Sequence, residues 1–391
     1  MSILEMARKA KAASLKLQGL SEEMRLTALD SVSKAIVQNQ ERILTENKKD
    51  LEEGKKNNLG SALLERLVLT EKAVKELSKM CMTVASQPAV VGMITESHTR
   101  EDGLVIQKQR IPLGVIGMIF ESRPNVVVDG AALAIKSGNA IILKGGKEAQ
   151  FSNRVLFEVI RDAISKVLPE GSVNLIETRE DVAEMLKLNE YIDLMVPRGG
   201  SSLISFVKAH ATMPVVAHDK GLCHIYVHHD CAVDAEKLII NAKVQRPSAC
   251  NAVETLIFHE KYPHQQKIID ALKSNGVEIM QDFDTEWLDK KISVKTVKNH
   301  HEAISHIQKH GSHHTESILA QDAKVIEEFL NELDASCLMI NASTRFNDGG
   351  ELGLGAELGI STSKLHAYGP MGAKEMTTTR FIVTGTGHCR K

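Results

Sequence analysis

The chain has 391 residues, of which 43% are apolar, 25% are charged and 4% are aromatic. This length calls for two or three compact units, and the composition is that of a globular enzyme rather than a disordered or fibrous chain. A formal net charge of -2 gives no broad basic surface for a nucleic-acid backbone, whereas a small anionic substrate needs only a local cationic pocket.

The N-terminus, residues 1–20, alternates lysines with alanines and leucines at helical spacing. It lacks the apolar run of a signal peptide, and no window of the chain predicts a membrane span. The six cysteines show no paired metal-ligand spacing, and a chain of this size needs no disulfides. We therefore expect reduced thiols in a cytoplasmic protein without membrane partners.

The predicted elements begin with helices, because apolar residues lie three and four apart from Ser2 to about Gln87. A period near two over residues 103–110, closed by Pro112, predicts an exposed hairpin strand. Strands and helices then alternate, which predicts an α/β fold with right-handed crossovers and parallel sheets covered on both faces. The later predicted strands cover residues 115–120, 140–143, 173–176, 192–196, 254–258, 317–320 and 381–385.

One cysteine lies where a functional thiol is expected. Cys250 falls at a break in the pattern just before a buried strand, on a loop held by rigid elements. A free thiol of pKa about 8.5 is mostly protonated at neutral pH, so a reactive one needs nearby cations, for which Lys243 and Arg246 are candidates. From position alone, a buried inert cysteine explains this residue equally well. That inert interpretation suits Cys223 and Cys337 better, since both lie in apolar strand-like runs.

Two glycine-containing turns are candidate anion sites. The first follows a strand and contains Lys144, Gly145 and Gly146, where a compact cation suits a ribose or phosphate. The second follows another strand and opens a helix, whose free amides suit an anion; it contains Arg198, Gly199, Gly200 and Ser201. No G-x-G-x-x-G fingerprint is present, and ordinary turns explain both segments equally well.

Histidines are concentrated between residues 300 and 314. No pair of them lies beside carboxylates at a recognised ligand spacing, so we expect a solvated helix and loop and no metal site. The histidines concerned are His300, His301, His306, His310, His313 and His314.

From about Arg110 onward the chain resembles the aldehyde dehydrogenase superfamily. The matching stretches are residues 111–117, 120–126, 196–200, 221–227, 241–243 and 362–372. The resemblance implies a Rossmann-type cofactor domain, an α/β catalytic domain and a small β arm for oligomerisation. The corresponding domain ranges are 1–98 with 113–234, 235–364, and 99–112 with 365–391.

The resemblance also implies an activity. It identifies Cys250 as the catalytic thiol and favours the branch that reduces glutamate 5-phosphate to glutamate 5-semialdehyde, the second step of proline synthesis. Hydrolytic members carry a glutamate ahead of two glycines, whereas this chain has His218 and Asp219 in that region. Without that base, the thioester is expected to persist until hydride arrives. A hydrolytic or coenzyme A-dependent relative, and a non-catalytic relative, are the alternatives.

Further roles are assigned only as expectations. By resemblance the cofactor is NADP, with Lys144 at the adenosine ribose or its phosphate and Lys147 nearby. Asn125 is the candidate second oxyanion donor beside the Cys250 amide. Three cations are expected to bind the phosphate and carboxylate of the substrate: Arg123, Lys243 and Arg246. A homo-oligomer is expected, together with a separate glutamate 5-kinase as a transient partner.

Overall fold

The computed structural model describes residues 1–390, apart from the side chains of residues 61 and 62. This part of the chain forms two compact units. The first contains residues 1–216, 353–359 and 371–390, and the second contains residues 217–352 and 360–370. The predicted boundary after residue 234 falls instead after residue 216, because the strand at Cys223–Val227 lies in the sheet of the second unit.

The first unit opens with helices, as the sequence predicts. Ser2 begins the first of them with a capping box, in which its side chain accepts from the Glu5 amide and the Glu5 carboxylate accepts from the Ser2 amide. Ser21 and Thr70 cap two later helices through their side chains. The five helices are α1 (Ile3–Gln18), α2 (Glu22–Gln38), α3 (Gln40–Lys56), α4 (Ser61–Leu67) and α5 (Glu71–Ser86).

A three-stranded antiparallel sheet forms the arm of the first unit. It contains β1 (Ile94–Thr99), β2 (Val105–Pro112) and the C-terminal strand β15 (Thr377–Thr384), with β2 in the middle. The predicted hairpin strand and tail strand are therefore confirmed, and they pair with each other in register from Pro112 with Thr377 onward. β1 is exposed throughout and most of β15 is exposed.

The second sheet of the first unit is parallel and buried. Its order is β5-β4-β3-β6, with β3 (Val115–Phe120), β4 (Ala140–Lys144), β5 (Val173–Leu175) and β6 (Leu194–Arg198). Every residue of β3 and β4 is buried, which is why these strands read as continuous apolar runs. The helices that follow these strands are α6 (Val126–Ser137), α7 (Gln150–Ile164), α8 (Arg179–Met185) and α9 (Ser201–His210).

The second unit is built on six parallel strands in the order β12-β11-β7-β8-β10-β9. The strands are β7 (Cys223–Val227), β8 (Val253–His259), β9 (Glu278–Met280), β10 (Lys291–Val297), β11 (Thr315–Leu319) and β12 (Cys337–Ile340). The helices are α10 (Ala235–Val244), α11 (Gln265–Ser274), α12 (His300–His310) and α13 (Ala323–Glu332). A two-stranded antiparallel pair, β13 (Ile360–Ser361) and β14 (Gly369–Pro370), completes this unit.

Alternation along the central strand separates two apolar cores. Ile225 and Val227 pack in the core that includes residues of α10 and α11. Tyr226, between them, packs in the core that includes residues of α12 and α13. Because successive side chains of a strand point to opposite faces, helices cover both faces of this sheet. The sheet is therefore rigid, and the segments at its edges are held in fixed positions.

All six cysteines are free thiols in the described chain. Among the described helices, none is both long enough and apolar enough to cross a bilayer. The α/β class with parallel sheets that the sequence predicts is confirmed by this architecture.

Candidate active site

Cys250 lies at the amino end of β8, on the short connection from α10. Two tight turns shape this connection, because the Ala249 amide donates to the Arg246 carbonyl at 3.1 Å and the Ala252 amide donates to the Ala249 carbonyl at 2.9 Å. The next residue is anchored as well: the Thr344 hydroxyl donates to the Asn251 carbonyl at 2.7 Å. The thiol is therefore a partly exposed group on a backbone that is fixed at both ends.

Two imidazoles lie beside this thiol. One ring nitrogen each of His218 and His314 and the Sγ of Cys250 all lie within 4.8 Å of one another. His314 directly precedes β11 and is fully buried, whereas His218 lies in the segment that leads to β7 and is partly exposed. The two rings meet edge to face, with 5.4 Å between their centroids. The strands β7, β8 and β11 are parallel, so the segments that precede them lie at the same end of the sheet. His218, Cys250 and His314 are therefore close together although they are far apart in sequence.

Each imidazole is held by a contact on its far side. The Nδ1 of His314 lies 2.7 Å from the Thr315 hydroxyl and 3.5 Å from the Cys223 Sγ. His218 forms a hydrogen bond with the backbone of Ile360. Among the described residues, the buried Nε2 of His314 has no hydrogen-bond partner that meets ordinary geometric criteria. That nitrogen is therefore available for the thiol.

The electrostatics of the site favour the thiolate. Burial works to raise the pKa of Cys250, but the charge of His314 and a hydrogen bond from His218 outweigh it and hold this pKa well below its ordinary value. For His218, burial works against protonation, but the hydrogen bond and charge of Cys250 raise its pKa. Both shifts favour a thiolate beside an imidazolium, and this is the form in which a cysteine acts as a nucleophile.

A glycine and a carboxylate complete the surroundings of the thiol. The Gly221 amide donates to the Glu286 Oε1 at 3.0 Å. A Cβ added to Gly221 would lie 2.2 Å from the Cys250 carbonyl oxygen, so only glycine permits this close approach of the two backbones. Burial raises the pKa of Glu286, and the negative charge of Cys250 adds to that rise. Glu286 thus lies within electrostatic range of the reacting sulfur.

The cations around Cys250 differ from those predicted. Lys243 is fully buried, and its ammonium lies 3.0 Å from the carboxylate of the equally buried Glu254. The expectation that Lys243 binds substrate is therefore wrong in this structure, because the side chain has no surface to offer. Arg246 is exposed, as a substrate-binding role requires. The groups that favour the thiolate are the two histidines rather than Lys243 and Arg246.

A further arginine, which the sequence analysis missed, lies near the thiol. Arg345 donates from Nε to the Gln245 side chain at 3.0 Å, and its carbonyl accepts from the Asn251 side chain at 3.4 Å. Burial lowers the pKa of Arg345, and the positive charge of Arg246 lowers it further. Arg345 and Arg246 lie within electrostatic range of each other, and Arg345 contacts Asn251, the residue after Cys250. Two guanidinium groups in this arrangement are suited to bind an anion.

The first predicted anion turn contains Lys144, whose ammonium is not paired with a carboxylate in the described chain. Lys144 ends β4, is 9% exposed and, within the described part of the chain, makes no hydrogen bond or ion pair. Burial lowers the pKa of Lys144, the positive charge of Arg179 contributes in the same direction, and the negative charges of Glu148 and Glu121 oppose the shift. The following glycines are tightly packed: a Cβ on Gly145 would meet the Asn153 side chain at 2.1 Å, and one on Gly146 would meet Glu148 at the same distance. This arrangement fits a negatively charged ligand.

The second predicted anion turn is partly occupied by protein groups. The Arg198 guanidinium donates to the Glu357 carboxylate and carbonyl, each at 3.1 Å. The Gly200 amide donates to the Glu121 carboxylate at 2.9 Å, and a Cβ on Gly199 would lie 2.4 Å from the same carboxylate. The Gly200 amide, one of the amides expected to be free for an anion, is therefore engaged by Glu121. The cofactor-binding role expected for this turn stays a prediction. Ser201 begins α9 and is exposed.

Asn125 and Arg123 lie in the first unit, between β3 and α6. The Asn125 side-chain amide donates to the Asp129 carboxylate at 2.9 Å. Burial raises the pKa of Asp129 to about 6, although the charge of Arg198 opposes this rise. Arg123 is partly exposed. The roles expected for Asn125 and Arg123 in catalysis and substrate binding stay predictions.

The histidine-rich stretch is only partly solvated. His314 is fully buried and His306 is 5% exposed, so the prediction of a solvated helix and loop is wrong at these two positions. His314 directly precedes β11 and Cys250 closely precedes β8, and β11 and β8 both flank β7. The sequence analysis missed His314 because its proximity to the thiol depends on the order of the strands in the sheet.

Comparisons with known proteins agree with this geometry. The model of the aldehyde dehydrogenase family matches residues 2–286. The match covers both cofactor-type turns, the thiol, His218 and Glu286. The chain is thus an aldehyde dehydrogenase-type oxidoreductase in fold and family.

Relatives place the chain more narrowly. It is 46% identical to the gamma-glutamyl phosphate reductase of Carboxydothermus hydrogenoformans over an alignment of 411 positions, which covers 99% of each chain. It is 44% identical to the enzyme of the same description from Nautilia profundicola, covering 99% of this chain and 100% of that one. The crystal structure of gamma-glutamyl phosphate reductase from Thermotoga maritima superposes with a TM-score of 0.96 at 41% identity, with both chains fully covered. The chain belongs to the gamma-glutamyl phosphate reductases of the aldehyde dehydrogenase family.

Proposed function

We propose that this enzyme reduces glutamate 5-phosphate to glutamate 5-semialdehyde and phosphate with NADPH, through a thioester on Cys250, as the second step of proline biosynthesis from glutamate. The observation that carries the proposal is the thiol at residue 250 beside two imidazoles. The names of the relatives supply the substrate class.

In the first step the Cys250 thiolate attacks the acyl carbon of the substrate, and the C–S bond forms as the electron pair of the carbonyl moves onto oxygen. The Cys250 backbone amide and the Asn125 side chain are the proposed donors to that oxyanion. Collapse of the adduct restores the carbonyl and releases phosphate. Phosphate is a good leaving group, so this step needs electrostatic stabilisation more than a proton.

Arginines are the proposed ligands of the two anionic ends of the substrate. Arg345 and Arg246 lie near the nucleophile, and planar guanidinium groups match phosphate and carboxylate geometry. Arg123 is the third candidate. Lys243 is not part of this proposal, since it is buried against Glu254.

Lys144 is the proposed ligand for the adenosine end of NADP. Its ammonium is nearly buried without a hydrogen-bond partner in the described chain. A lysine cation suits the extra phosphate of NADP better than the neutral ribose of NAD. When bound, the reduced cofactor supplies the hydride that converts the thioester to a hemithioacetal, from which Cys250 departs to release the aldehyde.

Hydrolysis of the thioester needs a general base that activates water. The chain has no glutamate in residues 216–221, the stretch that corresponds to the hydrolytic motif. The thioester is therefore expected to persist until it is reduced.

Assembly is a separate part of the proposal. The exposed three-stranded arm is the proposed surface for homo-oligomer formation, because β1 and β15 present unburied side chains on both faces. A glutamate 5-kinase is the proposed transient partner, since an acyl phosphate is labile and benefits from rapid transfer. We propose a cytoplasmic location, where the free thiols stay reduced.

The test is an assay with semialdehyde, inorganic phosphate and each oxidised cofactor. Turnover is expected to require phosphate and NADP, and Cys250→Ser is expected to abolish it while nearly normal NADP binding is retained. Cys389→Ser, at an exposed cysteine, is the matched control and is expected to keep full activity. Substantial turnover by the Cys250→Ser enzyme would refute the thioester route, and phosphate-independent oxidation would refute the proposed substrate.

A further inference from the structure

The side chains around the thiol have a second chemical capacity. Cys250, His218 and His314 offer one sulfur and two ring nitrogens within 4.8 Å of one another. Thiolate and imidazole are the ligands that zinc takes in proteins, and sites with three protein ligands leave a fourth position open. Reduction of an acyl phosphate needs no such ion, so metal binding here would compete with the reaction.

The spacing is close to that of a zinc site. Tetrahedral bonds of about 2.3 Å to sulfur and about 2.0 Å to nitrogen place ligand atoms about 3.3 to 3.5 Å apart. The present separations, all within 4.8 Å, need a closure of roughly 1 Å, which rotation of side chains supplies. The ring centroids of the two histidines, 5.4 Å apart, suit two imidazoles that share one ion.

The imidazoles already have the supporting contacts that metal ligands need. A ligating histidine usually bonds through its other nitrogen to a backbone carbonyl, a hydroxyl or a carboxylate, which fixes the ring. His314 has Thr315 in that role at 2.7 Å, and His218 has the backbone of Ile360. The Nε2 of the fully buried His314 points to no other partner in the described chain.

Charge favours a divalent cation at this place. The Glu286 carboxylate lies within electrostatic range of both the thiol and His218. A Zn²⁺ ion bound by one thiolate and two neutral imidazoles keeps a net positive charge, which a nearby carboxylate offsets. The Glu286 oxygen that bonds the Gly221 amide is thereby held close to the site.

We propose that Cys250, His218 and His314 form a zinc site that reversibly inhibits the enzyme. Donation of a sulfur lone pair to zinc neutralises the thiolate charge, and the ion occupies space beside the sulfur, so an occupied site attacks the acyl carbon poorly. Removal of the ion by a chelator restores the thiolate. This inference rests on the geometry of the three side chains and does not depend on which acyl phosphate is the substrate.

Two other histidine groups serve as internal controls. His300 and His301 lie near Glu328, and His228 and His229 lie beside Asp230, in each case with ligand atoms within 4.8 Å. Neither group contains a sulfur, and each includes an exposed histidine, His301 or His229. A thiolate ligand distinguishes the proposed site from both.

The experiment measures Zn²⁺ binding to the full-length, metal-free enzyme by competition with a chromophoric chelator, together with the rate of Cys250 alkylation by iodoacetamide. One ion per chain is expected to bind and to protect Cys250, with protection reversed by a chelator. His218→Gln and His314→Gln are each expected to weaken binding by at least about 100-fold, whereas His301→Gln is expected to leave it unchanged.

Co²⁺ supplies a readout that is independent of turnover, since a thiolate ligand gives a sulfur-to-metal charge-transfer band. The band is expected in the wild type and is expected to be absent in Cys250→Ser. His218 is partly exposed, so its variant tests the site even if the buried His314 variant fails to fold. Unprotected alkylation under saturating Zn²⁺, or unchanged affinity in Cys250→Ser, would overturn the proposal, and neither result bears on the reductase reaction.

Discussion

The Cys223 thiol donates a hydrogen bond to the backbone carbonyl of Cys250 at 3.1 Å. The Cys223 side chain thus anchors the backbone of Cys250. Cys223 also lies 3.5 Å from the Nδ1 of His314, so it contacts both the nucleophile segment and one of its imidazoles. The sequence alone favoured an inert role for Cys223, and burial agrees, but its position makes it a positioning residue.

Cys223→Ala is expected to lower kcat by about 2- to 10-fold with little change in KM, because a net hydrogen bond is worth roughly 0.5–1.5 kcal/mol. Cys223→Ser retains a donor and is expected to recover most of that loss. Steady-state kinetics of the two variants make the comparison. Equal activity of alanine and serine variants would show that the hydrogen bond has no positioning role.

The reactivity of Cys250 should depend on pH in a way that identifies His314. The pKa of Cys250 is held well below its ordinary value, so the thiolate forms at lower pH than in a free cysteine and is lost only when pH falls below that depressed pKa. Removal of the imidazole in His314→Gln removes a stabilising charge, so the midpoint is expected to move up toward that of an ordinary thiol. The alkylation rate as a function of pH measures the midpoint. An unshifted midpoint in the variant would contradict this assignment.

Gly221→Ala is expected to lower kcat by at least about 100-fold, since displacement of a catalytic group by about 1 Å has that effect. The added Cβ would lie 2.2 Å from the Cys250 carbonyl oxygen and 2.8 Å from the Glu286 carboxylate, which forces the two backbones apart. Gly60→Ala is the control, because a Cβ there meets no atom within 4 Å. Near-normal turnover of Gly221→Ala would show that the segment adjusts without moving the thiol.

Lys243→Met is expected to destabilise the fold by about 3–5 kcal/mol, because it leaves the buried Glu254 carboxylate without its partner. Lys237→Met, at an exposed position of the same helix, is expected to stay within about 0.5 kcal/mol of the wild type. Midpoints of denaturant unfolding compare the two. If Lys243→Met is as stable as the control and instead raises KM for the acyl phosphate, the substrate role first expected for Lys243 is restored.

A double variant, Phe381→Lys with Val383→Lys, tests the arm as an assembly surface. The two side chains are 68% and 57% exposed and lie on one face of β15, where two charges would oppose apolar contact with a second copy. A smaller particle in light scattering is expected, while Leu15→Lys, at a position 69% exposed on α1, is expected to leave particle size unchanged. Retention of the wild-type size by the double variant would exclude this face.

Much of the fold follows from the printed sequence. Runs such as residues 115–120 and 140–143 are apolar because both faces of their strands are covered, and the observed strands match those ranges to within a residue. The antiparallel arm followed from the period-two pattern before Pro112. The division between the two units could not be predicted from the sequence. The strand at residues 223–227 is followed by a helix pattern that would be the same in either sheet, so the pattern does not show which sheet the strand joins.

The sequence alone predicted only part of the candidate active site. The catalytic role of Cys250 and the cofactor role of Lys144 stay predictions, and two other predicted site residues are engaged by carboxylates: Lys243 by Glu254 and Arg198 by Glu357. The sequence shows that a lysine or arginine is present, but it does not show whether a carboxylate of the folded chain already neutralises its charge. His314 and Arg345 depend on the order of strands across a sheet, which the spacing along the chain does not reveal.

The groups that set the charge of the Cys250 sulfur, His218, His314 and Glu286, all come from the second unit. The ionisation of the nucleophile is thus a local property of one half of the molecule. Lys144, the proposed ligand for NADP, lies in the other unit. Substitutions of Lys144 are therefore expected to leave the ionisation of the Cys250 sulfur unchanged.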